Sequence, residues 1–171
     1  MREKRNRLAL RVLSTAALMA MVSSIAAAAF ADTYYVDYGD IKVDGSSVNY
    51  YDASGSNQTN EHDEDIVITN NNKEESTSHT VTINASEGST ADVTLKDVNI
   101  DTSSEDKAAV TVTGNGTTSI ELDGKNTLTS GGTHAGLEKN DAEGIGDLMI
   151  RDDTKDGGSL KAVGGTEGEY F

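Results

Sequence analysis

The sequence predicts an all-β chain wound as a parallel β-helix, a solenoid of about four coils, and three observations lead there. The first is a recurring figure of alternating apolar and polar residues. It appears as Asp65-Ile66-Val67-Ile68-Thr69-Asn70, as Asp92-Val93-Thr94-Leu95-Lys96-Asp97, as Ser119-Ile120-Glu121-Leu122-Asp123-Gly124 and as Asp147-Leu148-Met149-Ile150-Arg151-Asp152, with steps of 27, 27 and 28 residues. A fixed period in this range marks stacked repeats, each unable to bury its apolar face alone. The second is that apolar residues recur at every second position, the spacing of a pleated strand rather than of a helix. The third is that the strands end at Asp123-Gly124, Gly114-Asn115-Gly116, Gly131-Gly132 and Asp156-Gly157-Gly158, residues suited to tight corners.

Residues 1–31 stand apart from this pattern. Arg2, Lys4, Arg5, Arg7 and Arg11 make a basic start, Val12 to Phe30 is an apolar run rich in alanine, and Ala29-Phe30-Ala31 is a small-x-small cleavage site. That is the build of a secretory signal peptide. The rival reading is an uncleaved anchor, since a run of about 19 residues could just span a bilayer. Cleavage after Ala31 leaves one domain's length of chain and places the protein outside the cell, secreted or on a bacterial surface. The remainder carries nine basic and 28 acidic residues, a net −19 against −15 for the whole sequence. Such a charge opposes nucleic-acid backbones and anionic membranes. The absence of cysteine excludes disulfides and thiolate zinc sites.

Asp32–Glu64 reads as an N-terminal β cap closing in an acidic linker, Glu61-His62-Asp63-Glu64. Tyr34-Tyr35-Val36-Asp37-Tyr38, Ile41-Lys42-Val43 and Val48-Asn49-Tyr50-Tyr51 are its short strands. Five of the six tyrosines lie here. Tyrosine joins an apolar face to a polar tip, so Tyr34, Tyr35, Tyr50 and Tyr51 are candidate carbohydrate-stacking residues. The competing reading is a cap covering the first coil, which repeat proteins need for solubility.

Residues 65–171 are the coils. Each is expected to hold a first strand with an inward pair: Ile66/Ile68, Val93/Leu95, Ile120/Leu122 and Leu148/Ile150. Each also holds a later strand: Val81/Ile83, Val110/Val112, Ala135/Leu137 and Leu160/Ala162. Val98/Ile100 makes a middle strand, and Leu128 takes a similar place one coil later. Thr94, Glu121 and Met149 should face solvent. Consecutive hairpins are the competing arrangement, because Asp-Gly favours a hairpin turn; a near-constant coil length fits parallel ladders better.

The runs Val93–Asp101, Ile120–Leu128 and Ala135-Gly136-Leu137-Glu138-Lys139 resemble exported bacterial right-handed parallel β-helix surface proteins of the carbohydrate-binding-domain type. The resemblance covers roughly Asp65 to Gly165. It implies a right-handed helix and a non-catalytic glycan binder or adhesin, with polysaccharide as partner. Such proteins continue into further coils past Ser159–Gly165, so Thr166–Phe171 reads as the end of a truncated product. The last coil's edge would then be open to self-association.

Asp152-x-Thr154-x-Asp156-Gly157 copies part of the oxygen-ligand spacing of a calcium loop, with glycine at the sixth place. Val163 occupies the twelfth place, which excludes the helix-loop-helix kind. Asp152, Thr154 and Asp156 are therefore candidate calcium ligands; a solvated turn uses the same residue types. The resembled proteins can use calcium, which favours it as the cofactor. For catalysis, glycoside cleavage needs two positioned carboxylates, and Arg151-Asp152-Asp153 is the nearest approach. The Gly-His-Gly and Arg-Ile-Lys motifs of pectin-cleaving hydrolases do not occur. The expected function is polysaccharide binding; the alternatives are a structural stalk fragment and the remnant of a polysaccharide lyase or hydrolase.

Overall fold

The computed structural model describes residues 32–139, 146–155 and 157–166. The proposed signal peptide and Thr166's five successors lie outside them. No helix among the described residues is long and apolar enough to cross a membrane. The chain is all-β, as the alternation predicts. Its strands in order are β1 (Thr33–Tyr35), β2 (Ile41–Asp44), β3 (Ser47–Tyr51), β4 (Asn57–Asn60), β5 (Ile66–Thr69), β6 (Val81–Asn84) and β7 (Thr90–Lys96). They continue as β8 (Asn99–Asp101), β9 (Val110–Thr113), β10 (Thr117–Asp123), β11 (Lys125–Thr129), β12 (Leu137–Lys139), β13 (Leu148–Arg151) and β14 (Ser159–Val163). A single 3-10 turn, Val36–Tyr38, follows β1.

Three sheets result. The first runs β1-β5-β7-β10-β13 and is parallel throughout. The second runs β12-β9-β6-β2-β3-β4, parallel except for the antiparallel ribbon of β2, β3 and β4. The third, β14-β11-β8, is again parallel. Neighbours in a sheet are therefore far apart in sequence, and the hairpin alternative fails everywhere outside the first segment.

The strands share one aliphatic core. Tyr34, Ile68, Leu95 and Leu122 stand side by side across the first sheet, as do Ile66, Val93 and Ile120. All seven are buried. In the second sheet the buried rows are Ile41, Val81 and Val110, and Val43, Ile83 and Val112. The third contributes Ile100 beside Leu128, the middle position expected from the sequence. Thr94 and Glu121 are half-buried and Met149 is exposed, on the opposite face. Removing the buried residues from water supplies about 1.5–3 kcal/mol for each large side chain, as an upper bound.

Several sequence expectations change. The expected cap contributes β1 and β2 to the parallel stacks, which begin at Thr33 rather than at Ile66. Only β3 and β4 depart from them, carried by the 40-residue step from Ile41 to Val81. In the first sheet the register opposite β10 is two residues further on: Ile150, not Leu148, lies beside Ile120, a step of 30. Leu148 instead lies beside Thr118, which in turn lies beside Ala91. Those two small buried residues open a third inward position for it. Ile150 stays 46% exposed, since β13 ends its sheet among the described residues. Ala135 is exposed and Leu137 lies beside Val110, with Lys139 beside Val112; Ala135 is taken up by the preceding corner, where its carbonyl accepts from Ser130 Oγ at 2.8 Å. Leu160/Ala162 is no later strand. It lies beside Asn126/Leu128 in the third sheet, because the Asp152–Gly158 corner lengthens the path to the middle position.

The corners are closed by buried polar side chains. Asn70 Oδ1 accepts from Asn99 N at 2.8 Å, and its Nδ2 donates to Asn99 O at 3.1 Å. At the start of β11, Asn126 Oδ1 accepts from Val98 N at 2.9 Å while its Nδ2 donates to Asp123 O and Ser159 O. Thr102 Oγ1 donates to Lys107 O and Thr129 O, and Ser130 Oγ accepts from Ala109 N. Ladders stop at a corner, so the peptide groups there need partners of another kind. No buried side-chain nitrogen or oxygen among the described residues lacks one.

Two stability predictions follow from this packing. Leu122→Asp places a charge beside Leu95 in the buried aliphatic cluster and is expected to cost about 3 kcal/mol or more; wild-type-like melting would count against the shared core. Asn126→Ala leaves the Val98 amide orphaned in the interior and should cost about 1–3 kcal/mol for that group. Thermal melts of both variants, followed by circular dichroism, measure the effect.

Candidate functional site

The four tyrosines singled out in the sequence separate into two kinds. Tyr34 is only 2% exposed. Its hydroxyl donates to Asp63 Oδ2 at 2.7 Å and accepts from Asn60 Nδ2 at 2.9 Å. Burial, and next the hydrogen bond to Asp63, push its phenol well above the usual range. Tyr50 packs edge-on against it, ring centroids 4.9 Å apart at 70°, and is partly buried against the core. Strand alternation turns Tyr34 inward beside Ile68, which removes it as a stacking surface; Tyr50 is committed to holding it there. Tyr35 and Tyr51 remain at the surface, half-buried and 36% exposed. A fifth ring, Tyr38, lies 5.4 Å from Tyr35 at a 50° tilt. Nothing in a strand pattern reveals that a 3-10 turn folds Tyr38 back on Tyr35.

A second feature sits on the outer face of the third sheet. A groove of about 330 Å³ is lined by Lys73, Asp97, Asn99, Lys125 and Thr127. Strand alternation explains it: Asn99 and Thr127 are neighbours in register, flanked inward by Ile100 and Leu128. The corner that bounds it is built on Asp97, whose φ of 51° lies in the left-handed region. The position one coil on is Gly124, φ 66°, whose missing Cβ would strike the Asp97 carboxylate. Asp97 Oδ2 accepts from Lys73 Nζ at 2.6 Å and Oδ1 from Lys125 N at 3.0 Å. The Lys73 hydrogen bond, and then that amide, hold the Asp97 carboxyl below the ordinary carboxylate range. The groove's edge is thereby fixed from three separate segments of the chain at once.

The calcium candidates fall at the lengthened corner after β13. Asp152 is exposed with no partner among the described residues. Thr154 Oγ1 donates to Glu121 Oε1 at 3.3 Å, and that oxygen also accepts from Asp153 N at 2.7 Å and Thr154 N at 3.2 Å. Asp156 lies outside the described residues. The donors are all oxygen, the chemistry calcium takes. Glu121, a carboxylate from the neighbouring strand β10, is the addition that sequence spacing does not disclose. The described residues hold no group of three or more His, Asp or Glu side chains arranged as a metal cluster.

Arg151 lies in a smaller groove of about 230 Å³ with Asp65, Asp92 and Glu121. Its guanidinium bonds Ser119 Oγ and sits 3.0 Å from Asp153 and 3.5 Å from Asp92. Of the histidines, His134 Nδ1 meets Glu138 Oε2 at 2.8 Å, with Asp106 3.8 Å from Nε2. His62 stands 3.5 Å from Glu64 and His79 bonds Thr77. The chain matches no protein-family model, no curated protein and no solved structure.

The Asp97 corner has a pH signature. Its carboxyl is depressed in the fold, so its stabilisation is complete above the unfolded value of 3.8 and is lost as pH falls through the lower folded value. Asp97→Asn should melt below wild type at pH 7, with the gap closing as the pH drops through that window. A gap that does not narrow as the pH falls below 3.8 would remove the corner's electrostatic role.

Proposed function

We propose that the chain is a secreted or cell-surface, non-catalytic right-handed parallel β-helix that binds polysaccharide or another surface glycan. The observation that carries this reading is the third-sheet groove. It presents the Asn99 amide and the Lys125 and Thr127 side chains on neighbouring strands about 4.8 Å apart, with the Lys73 ammonium and Asp97 carboxylate at its edge, donors and acceptors for a polymer of repeating hydroxyls. Few fixed polar groups on a rigid scaffold are what orient a ligand.

The solenoid is supported by the steps of 27, 27 and 30 residues across β5, β7, β10 and β13, each advancing one strand in the same sheet. Crossovers between parallel strands of one sheet are right-handed in about 98% of cases. Export is supported by the basic start, apolar run and cleavage site of residues 1–31. Calcium at Asp152, Thr154 and Asp156 belongs to the same proposal as a stabiliser of the last corner, with Glu121 added by its contact with Thr154. Self-association through the strands that end each sheet is its second partner, with exposed Met149, Ile150 and Val163 as the apolar contribution.

A structural stalk without a defined ligand is the second reading. It is favoured by the internal use of Asp97, which already has two donors within the fold. Glycan-array binding of the exported chain, run with calcium and with chelator, separates the two. The proposal expects saturable binding to at least one polysaccharide and its loss in a Thr127→Arg, Asn99→Arg variant that still folds. No binding to any glycan under either condition favours the stalk, and release of reducing sugars or unsaturated products would point to the polysaccharide-cleaving alternative.

A further inference from the structure

We infer that Tyr35 and Tyr38 form a stacking site for the apolar face of a neutral pyranose ring. This rests on the glycan-binding reading but names a different place, at the N-terminal corner rather than on the third sheet. Tyr35 ends β1 and Tyr38 ends the 3-10 turn that follows, and their rings make a half-buried wedge. Neither hydroxyl has a hydrogen-bond partner among the described residues, in contrast to that of Tyr34. Each ring thus offers an apolar face and a free polar tip, the combination tyrosine supplies at wet recognition surfaces.

The wedge is held rigid from both sides. Asp37, between the two rings in sequence, accepts from Asn71 N at 2.8 Å and Asn72 N at 2.9 Å, which ties the turn to the next coil. On the other side the ring of Tyr51 lies so close to Gly39 that a Cβ there would enter it. A pre-ordered aromatic surface binds without an added ordering cost. The carboxylates nearest in sequence are already engaged: Asp37 as above, and Asp40 by Thr80 N at 2.7 Å and Thr80 Oγ1 at 3.2 Å. The two carboxylates flanking the turn, Asp37 and Asp40, repel an anion, so the wedge suits uncharged sugars over uronates.

Wild type, Tyr35→Ala/Tyr38→Ala and Tyr38→Phe are to be compared by affinity electrophoresis in a soluble mixed-linkage β-glucan and in a uronate polymer. With no tryptophan in the chain, tyrosine difference absorbance reports on the rings directly. The expected result is retardation of wild type by the β-glucan with a tyrosine difference signal, and binding at least about tenfold weaker in the double alanine variant. Tyr38→Phe keeps the ring and should bind within about twofold of wild type. Undiminished retardation of the folded double variant overturns the stacking site and leaves the broader reading standing, whereas wild type retarded by neither polymer counts against both. Retardation by the uronate polymer alone overturns the neutral-sugar assignment. Should the double variant fail to fold, the absence of a tyrosine signal in wild type at saturating β-glucan overturns the site by itself.

Discussion

The structure depends on satisfying peptide groups where the ladders stop. Within a parallel sheet each strand finds its partners in the strands on either side, but the chain must also turn between sheets. At those corners Asn70, Asn126, Thr102 and Ser130 take the place of missing strand neighbours, and they do so from the interior. An unpaired amide in that setting costs as much as several apolar contacts return. The aliphatic rows therefore supply the driving force, while the side-chain amides and hydroxyls decide where the chain bends. The groove on the third sheet inherits its shape from this arrangement, because Asn126 and Asp97 fix the corner beside it.

The parallel stacks were legible because Val, Ile and Leu alternate with polar residues at a nearly constant interval. Ile66, Val93 and Ile120 fall in one row as their spacing indicates. The interval misled at Leu148 and at Leu160. In both cases the chain length between strands changed while the residue types stayed plausible, and a two-residue shift leaves the same face inward. Composition carries the parity of a strand well and its absolute register poorly. The parallel pairing of β1 and β2 was hidden for another reason: the β3–β4 ribbon follows them, so they look like a separate cap.

The sites were less legible than the fold. Tyrosine clustering was visible, but whether a ring faces core or solvent turns on one position of alternation. Tyr34 and Tyr35 differ by that single step and end in opposite environments. Tyr38 and Glu121 matter through contacts that only a turn or a neighbouring coil creates. Lys73, Asn99 and Lys125 are unremarkable polar residues in sequence, separated by 26 positions in each of two steps; stacking makes them one surface.

The shift at β13 says something about how this scaffold tolerates change. Thr118, rather than Ile120, meets Leu148, yet no apolar position of that strand is turned from the inner to the outer face. The inward row returns after 27 residues from Val93 to Ile120 and after 30 from Ile120 to Ile150, so odd and even changes of length are both taken up between the strands. Parity binds only within a strand, where a one-residue slip turns the inner face outward. Length variation in such a chain is tolerated at the corners and refused along the ladders.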